Sequence, residues 1–168
     1  MVIPGNLIII SHCRDEIIYF YDYIDKNSLL VLLSQPVNQR DREVLNNFIA
    51  ESSARFIQLD EIETFDQSFT LSQNTKDIIQ NLIEGYKPSR IITQAKATVD
   101  SDIMSRKLYE YIQELKVLNH FVPKYNINNN KIIPMGVQKY LNLYSNSKES
   151  SYNMMMKTYN TVDGIKKV

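Results

Sequence analysis

The chain has 168 residues, which suits one domain with a single core. Its 19 Lys and Arg residues balance 19 Asp and Glu residues, which argues against a nucleic-acid-binding protein that works through bulk positive charge. The sequence contains no run of about 18 apolar residues, so it predicts no membrane-spanning helix.

The first part of the chain alternates short apolar runs with helical periodicity. Residues 7–11 (LIIIS) and 29–34 (LLVLLS) are continuous apolar runs, which are typical of strands buried on both faces. A helix that begins near Arg14 would connect them. Apolar residues then recur at helical spacing over residues 44–49, and residues 55–59 predict a third, weaker strand.

The same alternation continues through the middle of the chain. Apolar residues repeat at helical spacing between 78 and 86, and Pro88 ends that helix. Residues 90–93 predict a fourth strand, and an apolar stripe over residues 104–115 predicts another helix. Strands that alternate with helices imply parallel βαβ units. We therefore predict an α/β fold, a three-layer α/β/α sandwich with a mostly parallel, Rossmann-like sheet.

The last part of the chain is less regular. Residues 117–122 could form a strand, residues 126–131 (NINNNK) are a polar turn or loop, and residues 136–149 predict a last helix. The segment 151–168 fits neither period, and we expect a loosely docked, partner-binding or disordered tail. The predicted organisation is one domain over residues 1–150 followed by this tail.

The segments that follow the first and the fourth predicted strands are rich in ionisable and polar residues. They are residues 12–16 (HCRDE) and residues 94–102. Ligands of an open parallel sheet bind beyond the carboxyl ends of its strands. We therefore expect both segments to face one crevice.

Two interpretations of residues 12–16 stay open. Carboxylates in a first helical turn favour the positive end of the helix dipole and cap free N–H groups, and His12 could simply bond to the backbone. Alternatively, His12 and Asp15 bind a divalent metal such as zinc, since three protein ligands plus water form a hydrolytic site. The metal would lower the pKa of its water to about 7. A proton acceptor and an oxyanion-stabilising group would then be needed.

A strand followed by His-x-x-Asp-Glu resembles the signature of the LmbE/PIG-L family of metal-dependent N-acetylglucosamine de-N-acetylases. The family signature reads His-Pro-Asp-Asp-Glu, and His12, Asp15 and Glu16 match it. Three later stretches resemble family segments in the same order, namely residues 40–43 (RDRE), 77–93 and 139–150. The resemblance extends from about residue 2 to residue 149 and implies a zinc-dependent amino-sugar deacetylase.

The resemblance also implies roles for individual positions. His12 and Asp15 correspond to two of the family's zinc ligands, and Ser105 stands where the third, a histidine, would be. Asp102 stands where the oxyanion-stabilising histidine would be. The family's general base corresponds to Arg14, and an arginine stays protonated and cannot accept a proton.

An active hydrolase is the first of three functional hypotheses. Its metal would lie on His12, Asp15 and either Asp102 or Ser105, with Asp100 as a further carboxylate within reach. Glu16 would then be the nearby carboxylate left to shuttle protons.

The second hypothesis is a degenerate relative that binds a sugar, an anionic ligand such as a sugar phosphate, or a protein partner. Arg14, Arg40 and Gln94 are its candidate ligand-binding residues, and Arg14 could instead pair with Asp15 and leave no metal. The third hypothesis is a nucleotide- or phosphate-binding protein, which would lack the usual glycine-rich loop after the first strand.

The remaining chemistry-bearing residues predict little function. His120 is expected to be a core or surface histidine, and Cys13 a buried, inert thiol. One cysteine cannot form an intrachain disulfide, and the first ten residues lack the basic region and cleavage site of a secretory signal. We therefore expect a cytoplasmic protein, and the resemblance implies an amino sugar or a sugar phosphate as its partner.

Overall fold

A computed structural model describes residues 5–62, 68–94, 103–122 and 135–145. Within these ranges a short 3-10 helix covers Tyr21–Tyr23. The strands and α-helices follow in the order β1 (Asn6–Ile10), α1 (Asp15–Ile18), β2 (Leu29–Ser34), α2 (Gln39–Ser52), β3 (Arg55–Glu61), α3 (Gln73–Tyr86), β4 (Arg90–Ile92), α4 (Ile103–Glu114), β5 (His120–Phe121) and α5 (Met135–Ser145).

The described strands form one sheet in the order β3-β2-β1-β4-β5, and every pair is parallel. β1 is central, since Ile8 pairs with Leu30 of β2 on one side and with Ile92 of β4 on the other. The order of the strands reverses beside β1. The carboxyl ends of β1 and β4 therefore flank the position where parallel α/β sheets bind ligands.

Helices cover both faces of the sheet. Side chains of β1 alternate between the faces, so that Ile8 and Ile10 pack with α1, α2 and α5, whereas Leu7 and Ile9 pack with α3 and α4. All four of these side chains are buried, and each contributes about 1.5–3 kcal/mol to folding by leaving water. The predicted three-layer α/β/α sandwich is confirmed.

Local sequence signals set the bounds of the two longest helices. α2 begins after Asn38, whose side chain accepts a hydrogen bond from the backbone N–H of Asp41 at 2.8 Å. α3 begins after Ser72, which accepts from the backbone N–H of Thr75 at 3.1 Å. It ends at Tyr86, two residues before Pro88, so the predicted stop is confirmed.

The predicted strands agree with the observed ones to within a few residues. β2 has the predicted bounds, β1 begins and ends one residue earlier, and β3 extends to Glu61. β5 is shorter than predicted because it pairs only with Ile91 and Ile92 of the short strand β4. The predicted loop over residues 126–131 and the tail 151–168 lie outside the described residues.

The helices of the described ranges include none that is long and apolar enough to cross a membrane. The longest, α2 and α3, have 14 residues each, and a hydrocarbon core needs about 20.

Gly5 precedes β1 at a point of close backbone approach. A Cβ added there would overlap the backbone carbonyl of Asn27, which cannot rotate away as a side chain could. We expect Gly5→Ala to lower the free energy of unfolding by about 1–3 kcal/mol in urea titrations. The matched control is Gly85→Ala in α3, where an added Cβ meets nothing within 4 Å. That control should gain about 0.5–1 kcal/mol, and equal effects of the two changes would contradict the argument.

Candidate functional site

The regions after β1 and β4 lie at one edge of the sheet, as predicted. Ser11 directly follows β1, and its Oγ lies 2.7 Å from the Oγ of Ser105 in the first turn of α4. Both serines are buried, and so is Gln94, which follows β4 by two residues. Three buried polar side chains therefore lie near the carboxyl ends of β1 and β4.

The end of β2 holds the loop after β1 in place. The Ser34 hydroxyl donates to the backbone carbonyl of Ser11 at 2.6 Å, and the Ser34 N–H donates to the same oxygen at 3.2 Å. These two hydrogen bonds hold the backbone of Ser11 against β2. They therefore fix the point at which residues 12–16 leave the sheet.

The side chains of His12 and Asp15 lie close together, and Asp15 also accepts a hydrogen bond from the backbone of His12. The His12 Nδ1 lies 4.0 Å from the Asp15 Oδ2, and the backbone N–H of His12 donates to that oxygen at 3.3 Å. That N–H precedes α1, and the N-cap residue Arg14 makes no side-chain capping bond, so helix capping by the carboxylates stays a prediction. Two ligands of one tetrahedral zinc lie roughly 3.4 Å apart, so the observed separation is also near the one that a shared ion requires.

A complete metal site is absent from the described part of the chain. No three His, Cys, Asp or Glu side chains of these residues lie close enough together to hold one ion. The hydroxyl of Ser105 contacts Ser11, and a serine hydroxyl is not among the usual zinc ligands. Asp100 and Asp102 lie outside the described residues. The residues present therefore supply two of the ligands that zinc needs and do not fit a finished zinc centre.

Arg14 stands at the start of α1 in an unusual backbone conformation. Its φ is 87°, in the left-handed region, where a residue with a Cβ costs roughly 1–2 kcal/mol. The Arg14 Nη2 lies 3.8 Å from the Asp41 Oδ2, and the guanidinium lies 5.8 Å from the centre of the Tyr144 ring. Because such strain persists only where the surroundings hold it, these two contacts indicate a fixed cation.

Asp41 was not among the residues singled out from the sequence. It is 4% exposed, and its Oδ1 has no hydrogen-bond partner within the described ranges. The available signal was its place three residues after Asn38, a helix N-cap, where acidic residues are favoured by the dipole. That signal predicts a helix start and says nothing about Arg14.

Glu16 is wholly buried beneath α5. Its Oε1 accepts a hydrogen bond from the Tyr144 hydroxyl, while its Oε2 has no partner among the residues that the structure describes. Burial is the main reason why the pKa of Glu16 is raised to about 7. With no exposed surface, this carboxyl cannot contact a ligand in the crevice unless α5 moves. The role of Glu16 as a proton shuttle stays a prediction.

Cys13 is a half-buried thiol within the same group of side chains. Its Sγ lies 3.1 Å from the Tyr144 hydroxyl and 3.7 Å from the backbone carbonyl of Asp41. Burial, with the nearby Glu16 carboxylate second, raises the pKa of Cys13 well above its ordinary value. A thiol of that kind is a poor nucleophile, which favours the prediction of an inert cysteine.

The two remaining candidate ligand-binding residues differ in their surroundings. The Arg40 Nε donates to the backbone carbonyl of Leu143 at 2.7 Å and so ties α2 to α5. Gln94 is 6% exposed, and its Oε1 has no hydrogen-bond partner within the described residues. Gln94 is thus buried just after β4, whereas Arg40 bonds to the backbone of α5.

Comparison with known proteins finds likeness in structure and none in sequence. No family model matches the chain, and no curated protein matches it. The conserved protein TT1542 from Thermus thermophilus superposes with a TM-score of 0.59 at 8% identity, covering 93% of this chain and 85% of that one.

A second similar structure is that of GalB, the 4-carboxy-2-hydroxymuconate hydratase from Pseudomonas putida KT2440. It has a TM-score of 0.55 at 10% identity and covers 95% of this chain and 84% of that one. At such low identities the likeness concerns the fold alone. The chain therefore shares its α/β fold with a conserved protein and with a hydratase.

Proposed function

We propose that the chain is a relative of the LmbE/PIG-L deacetylases that binds an N-acetylated amino sugar or a sugar phosphate without hydrolysing it. The ligand would lie in the crevice between the ends of β1 and β4. The observation that carries this proposal is Arg14, a fixed cation at the position of the family's general base.

The surroundings of Arg14 argue against hydrolysis. Loss of a general base typically costs about 10²–10⁴ in rate. Asp41 pairs with the arginine and is itself 4% exposed, and Glu16 is wholly buried. Neither carboxylate is therefore placed to take over the missing proton transfer.

The same arginine favours recognition of an anionic or polar ligand. Its side chain is 36% exposed, so part of the guanidinium faces solvent while Asp41 holds the other part. Guanidinium groups bind phosphate and carboxylate through paired hydrogen bonds.

Replacing Arg14 tests this role. Arg14→Gly removes the cation and also relieves the left-handed backbone, so the fold should not suffer. We expect N-acetylglucosamine 6-phosphate to bind about tenfold to a hundredfold more weakly to this variant in calorimetric titrations, because charge-assisted hydrogen bonds are lost. N-acetylglucosamine without the phosphate should lose less.

The control removes a positive charge elsewhere. Lys26 is exposed and lies before β2, at the opposite edge of the sheet, so Lys26→Ala should leave both affinities unchanged. Failure of the unaltered protein to bind either sugar at millimolar concentration would refute the proposal. If the Arg14→Gly and unaltered proteins bind the phosphorylated sugar with equal affinity, Arg14 does not contact the ligand.

An active metal-dependent deacetylase is the second candidate, favoured by the 4.0 Å separation of His12 and Asp15. It predicts close to one zinc or manganese per chain in elemental analysis, lost in His12→Ala. It also predicts metal-dependent release of acetate from N-acetylglucosamine derivatives. Release of acetate by the unaltered protein would show that it is an active enzyme. Faster release by the Arg14→Asp variant would indicate that the arginine has replaced a catalytic base.

A further inference from the structure

β3 lies at one edge of the sheet, and no described strand pairs with its outer side. It has seven residues, whereas β5 at the other edge has two. The Arg55 N–H donates to the Ser28 carbonyl before β2 at 3.0 Å. Because backbone groups alternate in direction along a strand, Ile57 also faces β2, whereas Phe56 and Gln58 point their N–H and C=O groups outward. Such an edge is a template for pairing with another chain.

A β-bulge in β3 is filled from the side of β2. The register of the two strands shifts between the pairs Leu32–Gln58 and Ser34–Glu61. The Gln58 Nε2 donates to the carbonyl oxygens of Leu32 at 3.3 Å and Ser34 at 2.9 Å. These bonds brace the edge strand from within and do not use its outward backbone groups.

The sequence of β3 is complementary to itself when two copies run antiparallel. With Gln58 of one copy opposite Gln58 of the other, Arg55 faces Glu61. Ile57 then faces Leu59. Opposite charges and apolar pairs that face each other across antiparallel strands are stabilising, whereas like charges are destabilising. The charges therefore favour a second copy of this chain as the occupant of the edge.

The two charged residues of β3 lie on the same face of the sheet. The Arg55 guanidinium lies 4.8 Å from the centre of the Tyr86 ring at the end of α3. At the start of that helix, the Glu61 Oε1 accepts from the Ser72 hydroxyl at 2.6 Å and the Thr75 hydroxyl at 2.5 Å. Since a carboxylate accepts through both oxygens, Glu61 can also bind the arginine of a second copy.

The flank of α3 beside β3 carries apolar side chains that are only half-buried. Lys76 marks the other flank, because its Nζ lies 5.5 Å from the centre of the Tyr111 ring in α4. At about 100° per residue, Ile78 and Leu82 are turned away from Lys76 and toward the edge of the sheet. Antiparallel pairing about Gln58 brings this flank against the same flank of the second copy and buries it.

We propose that β3 pairs antiparallel with β3 of a second copy of this chain, about a two-fold axis at Gln58, so that one sheet continues through both copies. Ile62, which is 80% exposed, then reaches Ala54 of the other copy. A two-fold pairing uses the same edge of both copies, and the other edge is only two residues long, so assembly ends at a dimer. The dimer does not depend on the sugar ligand.

Reversal of one charge tests the dimer. We expect sedimentation between about 1 and 100 μM to show a species of twice the 19.6 kDa of the chain. Arg55→Glu places like charges opposite each other and should weaken association at least tenfold. The control Lys116→Glu makes the same change in charge at an exposed residue near β5 and should leave association unchanged. A monomer throughout this range, or equal weakening by both changes, would overturn the proposal.

Amide hydrogen exchange shows which side of β3 is covered. In the dimer, the N–H groups of Phe56 and Gln58 should be protected, and in Arg55→Glu they should exchange rapidly. The N–H of Ile57 bonds to β2 and should stay protected in both proteins, which shows that the variant is folded. Protection of Phe56 and Gln58 in a monomer would mean that a segment of the same chain covers the edge, and would overturn the proposal.

A mixing experiment tests the register. Arg55→Cys and Glu61→Cys each leave the two new cysteines of a dimer about 20 Å apart, too far for a disulfide. A mixed dimer places Cys of one variant opposite Cys of the other and keeps the second Arg55–Glu61 pair. We expect a disulfide-linked dimer on non-reducing gels from the mixture alone. A linked dimer from either variant by itself, or none from the mixture, would overturn pairing about Gln58.

Discussion

At pH 8, Glu16→Gln is expected to raise the free energy of unfolding by about 3 kcal/mol. Burial raises the pKa of the Glu16 carboxyl from its ordinary value of 4.5 to about 7, and that difference corresponds to about 3 kcal/mol. Glutamine has nearly the same shape, carries no charge and can still accept the hydrogen bond that the Tyr144 hydroxyl donates. The variant therefore avoids the cost of a buried carboxylate.

The gain should depend on pH in one direction. The folded protein holds the Glu16 proton more tightly than the unfolded chain does, so the stability that this group contributes is complete below pH 4.5 and is lost as the pH rises through about 7. Urea titrations of both proteins should thus coincide near pH 4 and separate between pH 4.5 and 7. His120, whose pKa is lowered, changes stability in the opposite sense and cancels in the difference.

Glu84→Gln is the matched control for this measurement, because Glu84 is exposed on α3. It should change stability little at any pH. A stabilisation by Glu16→Gln of the same size at pH 4 and pH 8, or a destabilisation at pH 8, would contradict the account of a buried, proton-binding carboxyl.

Tyr144→Phe is expected to lower the free energy of unfolding by about 2–3 kcal/mol at pH 8 and by about 1 kcal/mol at pH 4. The Tyr144 hydroxyl donates to Glu16 and lies within hydrogen-bond distance of the Cys13 thiol. Its removal takes away the side-chain hydrogen bond to a buried carboxyl, and the penalty is larger when that carboxyl is charged. Urea titrations at the two pH values measure the difference.

A control in the same helix separates the buried hydrogen bond from the loss of any tyrosine hydroxyl. Tyr140 bonds to Glu51, whose side chain is 54% exposed, so Tyr140→Phe should cost less than about 1 kcal/mol at both pH values. In the Glu16→Gln background, Tyr144→Phe should cost about 1 kcal/mol throughout. A cost that does not depend on pH would argue that Tyr144 and Glu16 are uncoupled.

The strands were predictable from the sequence where polar residues bracket a continuous apolar run. Ser28 and Ser34 delimit β2 in this way, and the predicted bounds are those observed. β5 was overestimated because its length depends on β4, a partner that offers Ile91 and Ile92 alone. The length of an edge strand depends on how many residues of the neighbouring strand can pair with it. The sequence of one segment alone does not give that number.

The position of the site was predictable from the topology, whereas its contacts were not. Parallel strands and a reversal of strand order are enough to bring the regions after β1 and β4 together. The burial of Glu16 could not be foreseen, since a helix of four residues has no apolar period that would define its inner face. Its partner Tyr144 lies 128 residues away, and only the docking of α5 brings the two side chains together.

The central place of β1 has a consequence for how the polypeptide acquires its structure during synthesis. β2 can pair with β1, and β3 with β2, as soon as residue 61 has left the ribosome, but the other side of β1 waits for Ile91 and Ile92. Until then, the nascent chain presents NLIII with unpaired backbone groups along one edge, a template for intermolecular pairing. Emergence of residue 92 from the ribosome is therefore the step that lets β4 close this edge of β1.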